Sequence, residues 1–434
     1  MTFIFLSLGF IYPHWQPIGL QNKNLTKIVI HPNDPQTLFV GSRSDFSSGS
    51  IGCLFKSTNS GTTWDTLIVG ITVRDIVINP LNPEIVYLAA GANAGNQPGV
   101  LKTTDSGITW FSADSGVVVN WETNVNTIRI DPNNQEILFC GTGGFMGGNL
   151  YKTTNGGNSW FIPCEDSIFE AGVNVIEFDP YEPIVLYVGR SWDGKLDRSS
   201  DGGIGWEYAG YTNGGGILAL EFGVSSNEML IGSGWSFVYS VGIFKTTDRG
   251  INWDNIGQGF EGGGNVYDVG VNFTTTENIY IGLEAGADTN GMYVRKNNQP
   301  WEHFGLTDII IRSIAIENNL MYAATDSGLY KRDLISTVEE ESKIKFYMNN
   351  VLYQPYPNPF NPTTRIRYAI GMMQKVTLKV YDLLGREVGT LVNERKPAGE
   401  YEADFNGSGL TSGIYFYQLR AGSYVDTKKM ILLK

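Results

Sequence analysis

The chain is poor in the residues that most often do chemistry. Its 434 residues include only three histidines, His14, His31 and His303, and three cysteines, Cys53, Cys140 and Cys164. The histidines are scattered and make no triad, and the cysteines lack any spacing that would hold zinc. Cys140, in ILFCGT, stands where the similar phrases TLFVGS and VLYVGR have valine. It reads as a buried free thiol, with a Cys140–Cys164 disulfide as the alternative. Charge is sparse at 17%, and 31 Lys and Arg face 44 Asp and Glu for a net −13. Such a balance speaks against nucleic acid as a ligand, which needs clustered cations. No apolar run is long enough to span a membrane. The opening MTFIFLSLGFIYP has no Lys or Arg before its apolar stretch. Residues 1–13 read either as a shortened secretory signal, with Ser7 and Gly9 as the small-residue site, or as an ordinary strand.

What is abundant points to an all-β fold. Fifty-three glycines without a G-X-Y period, 12% aromatic and 42% hydrophobic residues suit many short strands joined by tight turns. The charge divides unevenly. Residues 1–344 carry 19 cationic and 37 anionic side chains, and residues 345–434 carry 12 and 7. The positive tail is therefore a separate unit.

A period organises the acidic body. Trp15, Trp64, Trp110, Trp160, Trp206, Trp253 and Trp301 are 49, 46, 50, 46, 47 and 48 residues apart. After each tryptophan comes an alternating strand ending in a proline turn (KIVIHPNDP, DIVINPLNP, TIRIDPNNQ, VIEFDPYEP). A second strand ends in Gly or Ala, a variable loop follows, and a third strand (GVLKTT, NLYKTT, VGIFKTT) leads into a turn and the next tryptophan. Four short strands in about 45 residues is the pattern of a propeller blade. Residues 310–333 supply three strands of a last unit, and HWQPIGL at 14–20 supplies the missing fourth. The expected architecture is a seven-bladed β-propeller over residues 14–335, closed by pairing its first and last segments.

The turn before each tryptophan repeats a phrase: STNSGTTW, TTDSGITW, TTNGGNSW, SSDGGIGW and TTDRGINW. Asn59, Asp105, Asn155, Asp201 and Asp248 are expected to accept backbone N–H bonds about two residues on. Gly61, Gly107, Gly157, Gly203 and Gly250 supply positive φ. Trp64, Trp110, Trp160, Trp206 and Trp253 supply a large apolar face. These phrases resemble the Asp-boxes (BNR repeats) of sialidases, sortilin-type receptors, xyloglucanases and photosystem II assembly factor-like propellers. In those families the box is a structural hairpin on the periphery, away from the ligand face. RKNNQPW, before Trp301, lacks the glycine, so that hairpin is expected to differ.

Beyond the linker at residues 336–344 (polar STVEEESK at 336–343), the tail at residues 345–434 reads as a small immunoglobulin-like β-sandwich. Its YPNPFNP opening, VYDLLGREV, SGIYFYQL and KKMILLK closely resemble the type A C-terminal sorting domain of the type IX secretion system. The resemblance implies export through the periplasm to the cell surface or medium, the secretion machinery as partner, and a secretion signal at the N-terminus.

Ligand-face candidates come from aligning the first strands. The positions two before the first core aliphatic are Thr26, Arg74, Asn126, Asn174, Leu218, Tyr267 and Arg312, which would ring the mouth of a central channel. Arg74 and Arg312 can hold an anion in forked hydrogen bonds or pair with carboxylates such as Asp75 or Asp308. The loops between second and third strands carry Phe46, Phe145, Trp192, Trp235, Phe237 and Tyr239, able to stack on sugars or fold back on their own blades. Glu122, Glu170 and Glu261 are the carboxylates of the same face. A sialidase-like site needs an arginine cluster, a Tyr–Glu pair and an acid Asp; a xyloglucanase-like site needs paired carboxylates in a cleft between two propellers. The chain supplies one propeller and no Arg-Ile-Pro motif. Nothing calls for a cofactor or a metal. The reading is a secreted or surface binding module for a glycan or protein, with a glycoside hydrolase as the alternative.

Overall fold

Alternation of apolar and polar residues over six to nine positions, broken by Gly, Pro or Asn, leaves the chain no option but short strands. A computed structural model describes residues 15–44, 49–91, 99–119, 123–144, 147–164, 169–212, 215–234, 242–258, 264–272, 277–285, 290–317, 319–334, 350–370, 374–396, 399–422 and 424–434, and every regular element in them is a strand. The segment at 1–13 and the linker at 336–344 lie outside these residues. Contacts divide the chain into two units, one ending at Leu334 and one running from Ile335 to Lys434.

In the first unit the three strands between two anchor tryptophans and the strand just after the second tryptophan fold into one antiparallel sheet. Leu25–His31, Asp34–Ser42, Cys53–Ser57 and Asp65–Val69 pair in chain order, and the pattern recurs along the unit. Among the described residues the sheet of Thr123–Ile130, Leu138–Gly144 and Leu150–Thr153 has three strands, with a single bridge from Lys152 to Phe161 in place of the fourth. The sheet of Ile311–Glu317, Leu320–Thr325 and Gly328–Asp333 takes its fourth strand from the other end of the unit. That strand is only Gln16–Pro17, paired Gln16 with Lys331 and Pro17 with Tyr330. The first strand of each sheet lies against the first strand of the next, and Ile311–Glu317 lies against Leu25–His31, so the series returns on itself.

The repeated turn is held by more than its Asx residue. Ser57 Oγ donates to Asn59 Oδ1 (3.0 Å) and accepts from Gly61 N (2.9 Å), while Asn59 Oδ1 accepts from Thr63 N, four residues on rather than two (2.8 Å). The same set of bonds recurs around Thr103 and Asp105, Thr153 and Asn155, Ser199 and Asp201, and Thr246 and Asp248. The bonds from Thr103, then Thr109, pull the Asp105 carboxyl down to about 2. The hydroxyl that opens the phrase is thus as much a part of the turn as the Asx. At RKNNQPW, Asn297 and Asn298 both take positive φ and replace the missing glycine.

Each tryptophan reaches the sheet before its own. Trp64 Nε1 donates to Ile18 O (3.0 Å), Trp160 to Ala113 O (2.7 Å), Trp253 to Ala209 O (3.2 Å), Trp301 to Ile256 O (2.7 Å) and Trp15 to Phe304 O (2.9 Å). Trp206 makes no indole hydrogen bond and packs edge-on to Phe169 instead. Burying an aromatic of this size removes roughly 150–250 Å² from water, worth a few kcal/mol at about 25 cal/mol per Å². An indole hydrogen bond contributes about 1 kcal/mol, so packing holds the joint and the bond sets its orientation. The lysine of the phrase works in the other direction. Lys56 Nζ donates to Ser106 O, Lys102 to Gly156 O and Lys152 to Gly202 O, each the turn of the next sheet, at 2.7–2.9 Å. Each of these lysines also lies 5.1 Å from the ring centre of Phe39, Tyr87 or Phe139.

The second unit has two sheets around one core. Val351–Leu352, Thr363–Ile370 and Gly399–Asn406 form one; Glu387–Lys396, Gln374–Tyr381, Gly413–Ala421 and Tyr424–Leu432 form the other. Ile366 and Tyr368 from the first meet Val376, Leu378, Tyr417 and Met430 from the second, all fully or almost fully buried. The proline-rich opening, with cis bonds before Pro357, Pro359 and Pro362, folds onto the last strand. Phe360 is buried there, its N–H bonded to Ile431 O and its carbonyl to Leu433 N, both at 2.9 Å.

Two adjacent glycines test the joint. Gly202 (φ +73°) has no atom within 4 Å of an added Cβ, whereas a Cβ on Gly203 (φ +86°) would lie 2.6 Å from the Phe139 ring. Gly202→Ala should cost about 1 kcal/mol for backbone strain alone, and Gly203→Ala roughly 2 kcal/mol more. Urea denaturation of the two variants measures the difference.

Candidate functional site

The inner strand of every sheet in the first unit carries a register shift at the same place. The shifts fall between Leu25 and Lys27, Val73 and Asp75, Val125 and Thr127, Val173 and Val175, Ile217 and Ala219, Val266 and Asp268, and Ile311 and Ser313. A bulge leaves one residue unpaired and re-aims its side chain. The residues so released are Thr26, Arg74, Asn126, Asn174, Leu218, Tyr267 and Arg312, and all seven line one cavity of ≈ 1040 Å³. The strand alignment brought these positions together; the bulge is the physical reason they point inward.

Side chains beside the bulges tie each sheet to the next. Thr26 Oγ1 donates to Val73 O (2.5 Å) and Asn126 Nδ2 to Val173 O (3.2 Å). One residue further on, Asp75 Oδ2 accepts from Ile128 N (3.1 Å), Asp268 Oδ2 from Ile314 N (2.8 Å) and Ser313 Oγ from Ile28 N (3.4 Å). Polar residues in the inner strands thus satisfy backbone groups that the bulges leave unpaired.

At the mouth, Arg74 makes no hydrogen bond or ion pair among the described residues. Its side chain is open to water in the cavity, but protein surrounds that water, and desolvation followed by the neighbouring Arg43 lowers its pKa to about 10. Neither Asp75 nor Asp308 pairs with the bulge arginines. Asp75 pairs with Arg129 instead, and Arg312 Nε donates to Asn24 Oδ1 (3.3 Å) while its guanidinium sits 4.9 Å from the Tyr267 ring centre. Tyr267 donates to Glu284 Oε2 (2.5 Å), which also accepts from Asn265 Nδ2 (2.8 Å). Burial, then the bond to Glu284, raises the Tyr267 phenol. On another wall Asn126 Nδ2 and Ser191 Oγ both donate to Asn174 Oδ1 (3.0 and 2.9 Å). Trp192 is 37% exposed there, its indole N–H bonded to Gly144 O.

Deeper in the cavity the charges are ordered around the axis. Lys27 Nζ is 3.7 Å from Asp75, Arg129 Nη1 is 2.5 Å from Asp75, and Arg129 also binds Glu177 through Nε (3.0 Å) and Nη2. Burial alone would raise the Asp75 carboxyl, but the charges of Arg129 and Lys27 and the bonds to it outweigh that and leave it lowered. Arg129, between two carboxylates, is raised. The next inner strand contributes Glu221, which has no hydrogen bond or ion pair among the described residues. Desolvation, then the charges of Glu177 and Asp268, push it up to about 8.

Other expectations fare differently. Glu170 is exposed and does not line the cavity. Cys140 and Cys164 are not joined in a disulfide, and Cys140 is buried. Phe46, Phe145, Trp235, Phe237, Tyr239, Glu122 and Glu261 lie outside the described residues. Among the described residues no cluster of His, Cys, Asp or Glu could hold a metal, and no helix is long and apolar enough to cross a membrane. Sequence reasoning missed Arg43, Arg129, Glu177, Glu221 and Glu284. The signal for three of them was present: Arg129, Glu177 and Glu221 stand three residues beyond the bulge, where Leu25–His31 and Thr72–Ile78 have Val29 and Val77.

With this geometry in place, comparison with known proteins separates the two units. Residues 354–433 match the family model of the secretion system C-terminal sorting domain. The tail therefore marks the chain as cargo of type IX secretion, exported to the medium or the outer-membrane surface. The body is similar to the xyloglucanase Xgh74A of Acetivibrio thermocellus, 27% identical over 202 residues, which are 37% of this chain and 23% of that protein. The chain thus spans about a quarter of that relative's length. Among solved structures it resembles the GH74 xyloglucanase of Xanthomonas campestris (TM-score 0.56, 13% identity, 82% of this chain and 60% of that one). It also resembles YCF48 of Cyanidioschyzon merolae (TM-score 0.53, 13% identity, 74% and 98%). At these identities the likeness shows a β-propeller fold and nothing finer.

The two kinds of cavity arginine should separate on mutation. Arg129→Ala leaves the buried Asp75 without its main partner and should cost about 3–5 kcal/mol. Arg74→Ala, which breaks no bond, should stay within about 0.5 kcal/mol of the parent. Chemical denaturation of both variants checks this.

Proposed function

We propose that the chain is an exported seven-bladed propeller of the Asp-box kind that works as a binding module, with its ligand seated at the mouth of the central cavity. Arg74 carries the reading. It is a guanidinium facing enclosed water with no carboxylate of its own, which suits an anionic group on a ligand. Trp192 and the linked amides of Asn126 and Asn174 stand around the same opening and suit a sugar or a planar polar group. The boxes fit a structural role, because their hydroxyl, Asx and indole groups are used within the joints between sheets. The two sheets of the tail, around one core, suit an immunoglobulin-like sandwich.

A glycoside hydrolase is the second reading, favoured by the Tyr267–Glu284 hydrogen bond beside Arg312 and by the likeness to xyloglucanases. A tyrosine with a carboxylate to take its proton can act as a nucleophile. A screen of acidic glycans, neutral polysaccharides and peptides, scored for both binding and cleavage, separates the two. Binding without cleavage, weakened roughly ten- to hundredfold by Arg74→Ala, is expected from the loss of a charge-assisted bond. Cleavage abolished by Tyr267→Phe or Glu284→Gln would establish the hydrolase instead.

Export gives a separate expectation. Removing residues 344–434 should leave the body folded and trapped in the periplasm, as read by fractionation and by circular dichroism of the purified truncation. Normal surface display of that truncation would contradict sorting by the tail.

A further inference from the structure

We propose that the deep wall of the cavity is a seat for a cation, formed by Glu221 with Glu177 and Asp268 on the neighbouring inner strands, so that the ligand is zwitterionic. Its anionic group stays with Arg74 at the mouth, and its ammonium or guanidinium group enters the channel. This rests on the reading of the cavity as the ligand seat and adds the chemical class of what it takes.

The charges in the channel do not balance. Arg43, Arg74 and Arg312 stand at the mouth; below them the lining holds Lys27 and Arg129 against Asp75, Glu177, Asp268 and Glu221, two cations for four carboxylates in the deep layer. Both cations are engaged at the Asp75 side of the ring, Arg129 bridging Asp75 and Glu177 and Lys27 lying against Asp75. Asp268 is satisfied by the N–H groups of Val269 and Ile314, at 3.0 and 2.8 Å. Of these four carboxylates Glu221 alone has no hydrogen bond or ion pair among the described residues. Glu177 faces it from the preceding sheet and Asp268 from the following one, with the charges of Lys27 and Arg129 felt more weakly. A carboxyl in that position remains protonated at neutral pH, pushed up to about 8 by desolvation and its two anionic neighbours. The protein therefore tolerates the empty seat by keeping a proton there.

A bound ammonium would take the proton's place. Glu221 gives its proton to solvent, the carboxylate pairs with the ammonium, and charge is conserved overall. Glu221 lies three residues along its strand from Leu218 in the mouth layer, about 10 Å at about 3.3 Å per residue. The unpaired guanidinium above and the unpaired carboxyl below thus stand at two levels of one cavity large enough for a small ligand.

Isothermal calorimetry on the full chain tests this with 8-aminooctanoate, whose ends are about 10 Å apart when extended, against octanoate and octylammonium. Titrations in two buffers of different ionisation heat count the protons released. The expected result is 8-aminooctanoate binding at least tenfold tighter than octanoate, with release of about one proton per ligand at pH 7 and none at pH 9. In Glu221→Gln the preference should fall to within about twofold and the proton release should vanish, while octanoate binding is unchanged. Equal binding of 8-aminooctanoate and octanoate by the parent, proton release that persists in Glu221→Gln, or no binding of any probe would overturn the proposal. The mouth is judged separately by octanoate, whose binding Arg74→Ala should abolish. A mouth that holds octanoate without preferring the amine leaves the binding reading standing and the cation seat refuted. The parent's proton count needs no variant, so misfolding of Glu221→Gln cannot decide the outcome.

Discussion

The structure depends on crowding at the centre of the first unit. Inner strands from successive sheets must lie side by side around a common axis, and a regular strand would drive its side chains into its neighbour. A bulge at the same position in each strand relieves this by turning one residue out of the ladder. The freed backbone groups then need partners, and Thr26, Asp75, Asn126, Asp268 and Ser313 provide them across the sheet boundaries. The device that lets the sheets meet also opens a cavity and fills its walls with polar groups.

Around the rim the joints have a different chemistry. There the contact is apolar, an indole from one sheet against the preceding one, oriented by a single hydrogen bond and flanked by a lysine reaching the other way. Centre and rim thus divide the work. The rim supplies large aromatic contacts, while the centre supplies directional bonds and leaves Arg74 and Glu221 over. Groups left unpaired in an otherwise satisfied network are the ones to which a ligand has something to offer.

Much of this was legible in the sequence because it is local. The tryptophan period, the Asx-x-Gly turns and the strand alternation are each written within a few residues, and the aligned column from Thr26 to Arg312 followed from them. The opening hydroxyl of the turn was equally local and was passed over, since Ser57 and Thr103 read as ordinary strand ends. The ion pairs were not legible. Arg129 finds Asp75 54 residues away and Glu177 48 residues away, on two other sheets, and no single strand records that meeting. Arg74 and Asp75 are adjacent in sequence, yet the bulge turns Arg74 into the cavity without a partner while Asp75 pairs with Arg129.

The two-residue strand Gln16–Pro17 has a consequence for how the protein is made. Its partners, Lys331 and Tyr330, are nearly the last residues of the first unit to leave the ribosome. The seam joins residues more than three hundred positions apart, and closing so long a loop is slow compared with local hairpin formation. The body therefore cannot seal until nearly all of its own strands have been made. The sorting tail follows that closing strand, so a chain interrupted before the seam forms lacks its address as well as its closure.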